Sequence, residues 1–230
     1  MCPVFASGKH ALGWDTGVVT QHYFTESPSG DFTPREIEVE LKGAPRRLLT
    51  AGGVFSPEHL DQGTSVLLAT LDALDPLESL ETSPDADAAG PILDIGCGWG
   101  PIALAAALEH PAREVWAVDV NERSLELTRA NAERLGLTNV RVSRPEDVPS
   151  DIVFAEIRSN PPIRVGKQVL HDILTTWLPR LTPGAAAYLV VAKHLGADSL
   201  ARWIDETFDS LEVERVARKK RFHVLRALHR

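Results

Sequence analysis

The chain has 230 residues, a length that allows one sizeable α/β domain with an extension but not two full domains. Hydrophobic residues make up 43% of it, yet no apolar run is long enough to span a membrane, and the N-terminus lacks the regions of a secretion signal. Its two cysteines, Cys2 and Cys97, form no disulfide framework, and its histidines are scattered without metal-ligand spacing. We therefore expect a cytoplasmic protein with free thiols, no membrane contact and no metal.

Charge is unevenly distributed along the chain. The net charge of −8 argues against a nucleic-acid partner for the chain as a whole. Residues 72–90, however, carry six acids and no Lys or Arg, whereas residues 215–230 carry seven bases and no acid. The basic end is therefore able to contact phosphate. Residues 218–221 fit a solvated turn between two strands equally well.

The first part of the chain predicts an irregular arm and a small extension. Residues 1–34 have little periodicity and contain several Gly, Ser and Pro residues. Alternating apolar and charged residues over 37–41 predict a half-buried strand, with 46–50 as its hairpin partner. Residues 61–74 are typical of a helix, so that 35–74 forms a small β/α extension. Residues 75–90, which are acidic and contain two prolines, are predicted to be a linker.

From residue 91 onward, strands and helices alternate. Short apolar runs at 92–95, 115–118, 140–142 and 152–157 predict strands, and later strands are expected at 187–192, 211–216 and 222–228. Helices are predicted from the cap Asn121 to Gly136, over 167–181 and around 200–208. Residues 91–230 are therefore expected to form one α/β domain. Its sheet would be doubly wound, mostly parallel and seven-stranded, and would end in an antiparallel hairpin.

A glycine-rich turn follows the first strand of this domain. Glycines at positions 96, 98 and 100 remove every Cβ from one face of the turn, so that its backbone can lie against a ligand. The free N–H groups of the following helix point at the same place. A dinucleotide site would need a glycine at position 101, where Pro101 stands. Asp119 ends the second strand, where doubly wound folds bind a ribose diol, so the pattern predicts a cofactor cradle.

A second motif, Asn160-Pro161-Pro162-Ile163, follows the fourth strand at the edge where such sheets bind ligands. The prolines have no N–H groups, so this segment offers the carbonyl oxygens of its backbone and the amide oxygen of Asn160 as hydrogen-bond acceptors. Acceptors that converge on an NH₂ group suit methylation of an aryl or amide nitrogen. Such a reaction depends on positioning and electrostatics and needs no strong base.

These motifs resemble those of class I S-adenosylmethionine (SAM) dependent methyltransferases. The G-x-G-x-G turn with Asp94 before it resembles their motif I, and Asn160-Pro161-Pro162 resembles motif IV of the enzymes that methylate amino groups. Segments 53–56, 60–64, 160–167 and 221–225 resemble the "methyltransferase small" family, which includes the RsmC-type guanine-N2 methyltransferases of ribosomal RNA and short archaeal relatives. The resemblance covers about residue 35 to the end. It implies a Rossmann-like methyltransferase fold, SAM as the cofactor, and ribosomal RNA or a ribosomal subunit as the partner.

The resemblance also implies roles for individual residues. The 35–74 extension would cover the cofactor, with Ser56 and Gly63 in that cover. The implied cofactor-binding residues are Phe55, Asp61, Asp94, Gly96, Cys97, Gly98, Gly100, Asp119, Val120, Glu146, Asp147 and Asn160. The implied catalytic residues, which would hold the acceptor amine, are Asn160, Pro161, Pro162 and Ile163.

The chain departs from the family's pattern in two ways that concern the substrate. Many amino-methyltransferases have an aromatic residue after Asn-Pro-Pro that stacks on the target base, but this chain has Ile163. Tyr23 or Phe24 of the N-terminal arm is a candidate replacement for that aromatic residue. The chain is also too short for the duplicated N-terminal domain of the long RsmC-type proteins, so its substrate contacts must differ from theirs.

Three functions remain open at this point. The first is methylation of the exocyclic amine of a guanine in ribosomal RNA, with the base turned out of its stack to reach Asn160. The second is methylation of a glutamine amide in a translation-related protein. The net charge of −8 favours that activity and Ile163 counts against it, since those enzymes usually have Tyr there. The third is SAM binding without catalysis.

Overall fold

The computed structural model of the protein describes residues 32–78, 90–162 and 166–230. Three of the residues discussed above, Tyr23, Phe24 and Ile163, lie outside the described residues, as do most of the N-terminal arm and most of the acidic linker. In the described part of the chain, no helix is long and apolar enough to cross a membrane. The same part contains no cluster of three or more His, Cys, Asp or Glu side chains that could hold a metal ion.

The extension consists of a hairpin and a helix. Strands β1 (Arg35–Leu41) and β2 (Ala44–Thr50) pair antiparallel around a two-residue turn at Lys42 and Gly43. Both turn residues have positive φ, 50° and 69°, as a tight hairpin turn that matches the strand twist requires. Helix α1 (Gln62–Glu78) follows and continues four residues beyond the predicted end of the helix.

The main sheet has seven strands in the order β5-β4-β3-β6-β7-β9-β8. The first five strands of this order are parallel, and β9 and β8 add antiparallel to β7 and to each other. The strands are β3 (Ile92–Ile95), β4 (Val115–Val118), β5 (Val140–Ser143), β6 (Phe154–Ser159), β7 (Leu181–Ala192), β8 (Leu211–Lys219) and β9 (Phe222–His229). The remaining helices are α2 (Pro101–Glu109), α3 (Glu122–Arg134), α4 (Lys167–Trp177) and α5 (Ala197–Thr207). The predicted fold class is confirmed.

Several predicted boundaries were wrong in the second half of the chain. The helix predicted over 167–181 ends at Trp177, because Pro179 cannot continue it, and a 3₁₀ turn over Leu178–Arg180 leads into β7. Strand β7 therefore begins at Leu181 and not at position 187, where the sequence predicted its start. Strand β6 begins at Phe154, two residues later than predicted, and runs on to Ser159.

Apolar side chains cover both faces of the sheet. Along β7, Leu189 and Val191 pack in the cluster that also contains Leu174 of α4, whereas Tyr188 and Val190 pack in a cluster with Leu67 of α1. The β1–β2 hairpin buries its own cluster against α2 and α3. The strand order reverses direction at β3, between β4 and β6, which is where doubly wound sheets open a crevice for ligands.

Candidate functional site

The glycine-rich turn after β3 is fixed to the neighbouring strand β4. The backbone N–H groups of Gly96 and Cys97 both donate to the carbonyl oxygen of Val118, at 2.8 and 3.0 Å. A Cβ atom added at Gly96 or Gly98 would meet no atom within 4 Å, so both glycines face open space. A Cβ at Gly100 would instead lie 3.0 Å from Thr128 of α3. Two glycines thus leave room for a ligand, and the third allows α3 to pack closely.

Asp119 connects the turn to the beginning of α3. One carboxylate oxygen accepts a hydrogen bond from the Gly98 N–H at 2.9 Å, and the other accepts one from the Asn121 N–H at 2.9 Å. Burial raises the pKa of Asp119 above its usual value, although these backbone donors act in the opposite direction. A carboxylate at this position supplies the acceptor oxygens that a ribose diol requires. Val120, the next residue, is half-buried beside it.

Asp94 carries a buried carboxylate oxygen without a partner. Its side chain is 1% exposed, and its Oδ2 accepts a hydrogen bond from the Ala103 N–H in the first turn of α2 at 2.9 Å. Its Oδ1 is buried and has no hydrogen-bond partner among the described residues. Burial raises the pKa of Asp94 to about 8. An unsatisfied acceptor of this kind beneath an open glycine turn fits a site for a polar, cationic ligand.

Cys97 lies in the turn, but its side chain points into the protein. The thiol is buried in the cluster that contains Ile92 and Ala103, and its sulfur is 3.6 Å from the Thr128 hydroxyl. Burial raises the pKa of the Cys97 thiol well above its usual value. The residue can therefore face a ligand only with its backbone, and its thiol is not available as a nucleophile.

The segment between β2 and α1 is tied to the same turn. Asn121 donates to the Gly53 carbonyl at 2.9 Å, and the indole N–H of Trp99 donates to the Ser56 carbonyl at 3.3 Å. Between these two attachments Phe55 is 52% exposed. A large apolar side chain left in solvent next to an open cradle is suited to lie over a ligand.

The acceptor motif lies at the end of β6, and the first turn of α1 orients it. The Asn160 Nδ2 donates to Asp61 Oδ2 at 2.8 Å and to the Thr64 hydroxyl at 3.1 Å. Both N–H groups of the amide are thereby used, which fixes the orientation of the side chain. In the part of the chain that the structure describes, no group donates to Asn160 Oδ1. That oxygen and the backbone carbonyl groups of the motif are free to accept. Pro161 is buried and Pro162 is partly buried.

Asp61 was assigned to the cofactor on the sequence, and the structure brings it to Asn160. Its Oδ2 also accepts from the Thr64 backbone N–H at 3.1 Å, in the geometry of a helix N-cap. Ninety-nine positions separate Asp61 from Asn160 along the chain, so no local pattern could pair them.

Sequence reasoning did not identify Phe222 as part of this site. A Cβ atom placed on Gly63 would lie 3.0 Å from the Phe222 ring and 3.3 Å from Asn160 Nδ2. The sequence of residues 221–225 indicates only a resemblance to the family and no contact with Asn160. The position of this segment depends on β9 lying beside β7, which the sequence does not specify.

Glu146 and Asp147 lie at the carboxyl end of β5, in a 3₁₀ turn, and both are exposed. Arg144 donates to Glu146 at 2.6 Å. These two residues therefore lie at the same edge of the sheet as the glycine turn, and no hydrogen bond or ion pair between described residues joins them to it.

Comparison with known proteins identifies the family of the chain. Residues 45–226 match the model of the methyltransferase small domain. The chain belongs to the methyltransferase small-domain family. Membership makes it a methyltransferase of the SAM-dependent class, and the glycine turn with Asp119 fits that cofactor.

The chain's relatives within the methyltransferase small-domain family differ in length. It is 33% identical to the uncharacterized protein YbxB of Bacillus subtilis over 212 residues, which are 91% of this chain and 98% of YbxB. It is 26% identical to ribosomal RNA small subunit methyltransferase C of Shewanella amazonensis, covering 87% of this chain and 55% of that protein. The structure of the 16S rRNA methyltransferase RsmC of T. thermophilus, in complex with AdoMet and guanosine, superposes with a TM-score of 0.69 at 23% identity. That match covers 88% of this chain and 52% of the other. The chain thus spans about half the length of these methyltransferases.

Proposed function

We propose that the protein transfers the methyl group of SAM to the exocyclic amine of a guanine in ribosomal RNA, in the cytoplasm. The fixed amide of Asn160 carries this proposal. Its two N–H groups are held by Asp61 and Thr64, so its oxygen is presented to a substrate together with the backbone carbonyl groups of the motif.

The residues around the glycine turn are assigned to the cofactor. Gly96 and Gly98 would lie against its methionine part, Asp119 would accept hydrogen bonds from the ribose hydroxyls, and Phe55 would cover it. The unpaired Oδ1 of Asp94 would face the cationic end of the cofactor, directly or through water. When bound, SAM supplies an electrophilic methyl group on a sulfonium.

The residues of the acceptor motif are assigned to the target amine. Asn160 Oδ1 and a backbone carbonyl group of the motif would each accept one N–H of the amine, which holds the nitrogen in line with the methyl group and favours its pyramidal geometry. The methylated nitrogen then releases one proton to solvent, so no strong base is needed. Phe222 brings an aromatic ring to the Asp61 side of Asn160, and we assign this ring to the wall of the acceptor site.

The named relatives support ribosomal RNA as the substrate. The Shewanella protein is a ribosomal RNA small subunit methyltransferase, and the T. thermophilus structure is a complex with AdoMet and guanosine. Methylation of a glutamine amide in a translation-related protein is the second candidate, because an amide fits the same acceptors and the net charge of −8 favours a protein partner.

The experiment that tests the proposal follows a labelled methyl group. Ribosomal subunits from a strain lacking the protein are incubated with the protein and methyl-labelled SAM, and RNA is then separated from protein. We expect the label in RNA, as N2-methylguanosine after digestion. Asn160→Ala should lower kcat by about 100-fold or more while SAM affinity is retained, because one positioned acceptor is lost.

Other outcomes reject parts of the proposal. Label in a protein would reject RNA as the substrate and favour amide methylation. SAM binding with no labelled product would indicate that the protein binds SAM without catalysis. An active Asn160→Ala variant would contradict the mechanism whichever substrate is labelled.

A further inference from the structure

We propose that the turn between β8 and β9 is the surface that binds the phosphates of the RNA substrate. The surface is called the hairpin tip and consists of Arg218, Lys219, Lys220 and Arg221. This inference rests on the proposed function and specifies how the substrate would be held.

The strand order places the hairpin tip at the catalytic edge of the sheet. Strand β9 is antiparallel to β7, so it begins where the parallel strands end. The Lys193 N–H, directly after β7, donates to the Arg221 carbonyl at 2.7 Å and fixes the tip there. The next residue, Phe222, packs against Gly63, and so does Asn160. The tip is therefore one residue away from the acceptor site.

The four side chains of the hairpin tip are exposed, and their charges are not neutralised by the described residues. In the described part of the chain, none of them forms an ion pair. The neighbouring arginines behave differently, because Arg215 pairs with Asp198, Arg226 with Glu214 and Arg230 with Glu212. The unpaired positive charge of the C-terminal hairpin is thus concentrated at the end nearest Asn160.

Turn geometry alone does not account for four adjacent bases. The turn has one left-handed residue, Lys220, with φ of 55°, a conformation for which Gly or Asn is the favoured residue. Like charges at neighbouring positions repel each other, so the arrangement weakens the hairpin unless a polyanion binds. A guanine that enters the acceptor site brings a phosphate on either side of it, and such contacts position the chain without reading its sequence.

The test measures binding separately from methyl transfer. A fluorescein-labelled single-stranded RNA that contains guanine is titrated with the full-length protein at several salt concentrations, and KM and kcat are measured with ribosomal RNA. The double variant Lys219→Gln/Lys220→Asn removes two charges and keeps a residue that tolerates the left-handed conformation. The matched control, Arg129→Gln/Arg141→Gln, removes two exposed charges near the opposite, β5 edge of the sheet.

We expect the tip variant to bind RNA more weakly at low salt. Its plot of log Kd against log salt should be less steep by about 1.4, since each phosphate contact on a single strand contributes about 0.7. The part of the wild-type weakening between 50 and 200 mM salt that comes from these two contacts, about sevenfold, should be absent from the variant. The KM for RNA should rise, while kcat at saturating RNA and the Kd for SAM stay unchanged. The control should keep the wild-type slope.

The outcomes separate this inference from the proposed function. Equal slopes for the tip variant and wild type, or no RNA binding by wild type, would overturn the role of the hairpin tip. If the slopes of the tip variant and wild type differ as expected but the methyl label appears only in protein, the tip is supported as an RNA-binding surface and the proposed substrate is rejected.

Discussion

At the scale of single residues, one carboxylate oxygen of Asp61 connects the extension to the acceptor motif. It accepts hydrogen bonds from the Thr64 backbone and from the Asn160 side chain. Gly63 makes this arrangement possible because it has no Cβ. An added Cβ would lie 2.9 Å from Asp61 Oδ2, 3.0 Å from Phe222 and 3.3 Å from Asn160 Nδ2. The glycine is therefore required for space and not for an unusual backbone angle.

Gly63→Ala should lower activity with little effect on stability. The new methyl group would displace the Asn160 amide by a fraction of an ångström, and misplacement of this kind lowers kcat by about 10- to 100-fold. The strain is partly offset because Ala stabilises a helix relative to Gly by about 0.5–1 kcal/mol. Steady-state kinetics and SAM affinity measure the effect.

Gly52→Ala is the control for this prediction, because a Cβ at Gly52 would meet no atom within 4 Å. It should behave as the wild-type protein does. Full activity of Gly63→Ala would show that Asn160 does not require this close packing.

At the scale of elements, α3 holds the β1–β2 hairpin on the domain. Asn131 of α3 is fully buried; it accepts from the Leu49 N–H at 2.6 Å and donates to the carbonyl oxygens of Leu49 and Trp99, both at 2.9 Å. One side chain thus joins the hairpin, α3 and the glycine turn. Asn121, at the start of the same helix, holds the segment that carries Phe55.

Asn131→Ala should destabilise the protein by removing the partner of the buried Trp99 carbonyl and of the partly buried N–H and carbonyl groups of Leu49. The expected loss in the free energy of unfolding is about 2–4 kcal/mol, because each unsatisfied buried group costs about 1–3 kcal/mol and the site relaxes in part. Denaturant unfolding measures it. Glu126→Ala, at an exposed position of the same helix, should change stability by less than about 0.5 kcal/mol. Equal stabilities of the two variants would mean that Asn131 does not hold the hairpin.

The sequence was sufficient to predict the elements and one half of the site. Alternating residues over 37–41, the Asn121 cap and the run before the glycine turn are local patterns, and local patterns determine local structure. The other half of the site depends on long-range contacts. Asp61 and Phe222 reach Asn160 only through the packing of α1 and the position of β9. Pro179 shows that periodicity alone does not define the end of a helix. The helical spacing of apolar residues continues past Pro179, but the helix ends before it.

At the scale of the whole molecule, a group of buried charges connects β6, the end of α2 and the β1–β2 turn. Arg158 of β6 is next to Asp94 in the sheet register and donates to Glu156 and Glu109, the latter at 2.9 Å. Lys42 of the hairpin turn donates to the same Glu109 at 2.6 Å. Burial alone would raise the pKa of Glu109, but these two cations hold it below its usual value. For Asp94 the effect of burial is the larger one, and its pKa is raised although Arg158 and the Ala103 N–H act in the opposite direction.

The stability of the protein without cofactor should therefore depend on the protonation of Asp94. Its pKa is about 8 in the folded state and close to the ordinary value in the unfolded chain. Between about pH 4 and pH 8 the folded state consequently binds more protons, so the contribution of Asp94 to stability falls as pH rises. The slope is at most about 1.4 kcal/mol per pH unit.

Asp94→Asn removes this titration and keeps an oxygen for the Ala103 N–H. The stability of wild type minus that of Asp94→Asn should decrease steadily from pH 5 to pH 8 in denaturant unfolding. A pH-independent difference for Asp94→Asn would show that Asp94 is ionised throughout this range.

Because Asp61 Oδ2 both caps α1 and binds Asn160, local unfolding of the first turn of α1 should affect methyl transfer. The first turn of a helix opens with less free energy than the whole domain, and here the oxygen that caps this turn also orients Asn160. When the turn frays on warming, the amide of Asn160 is free to rotate, although the sheet and the glycine turn remain folded. Heat should therefore stop methyl transfer before it unfolds the protein, and cooling should restore it.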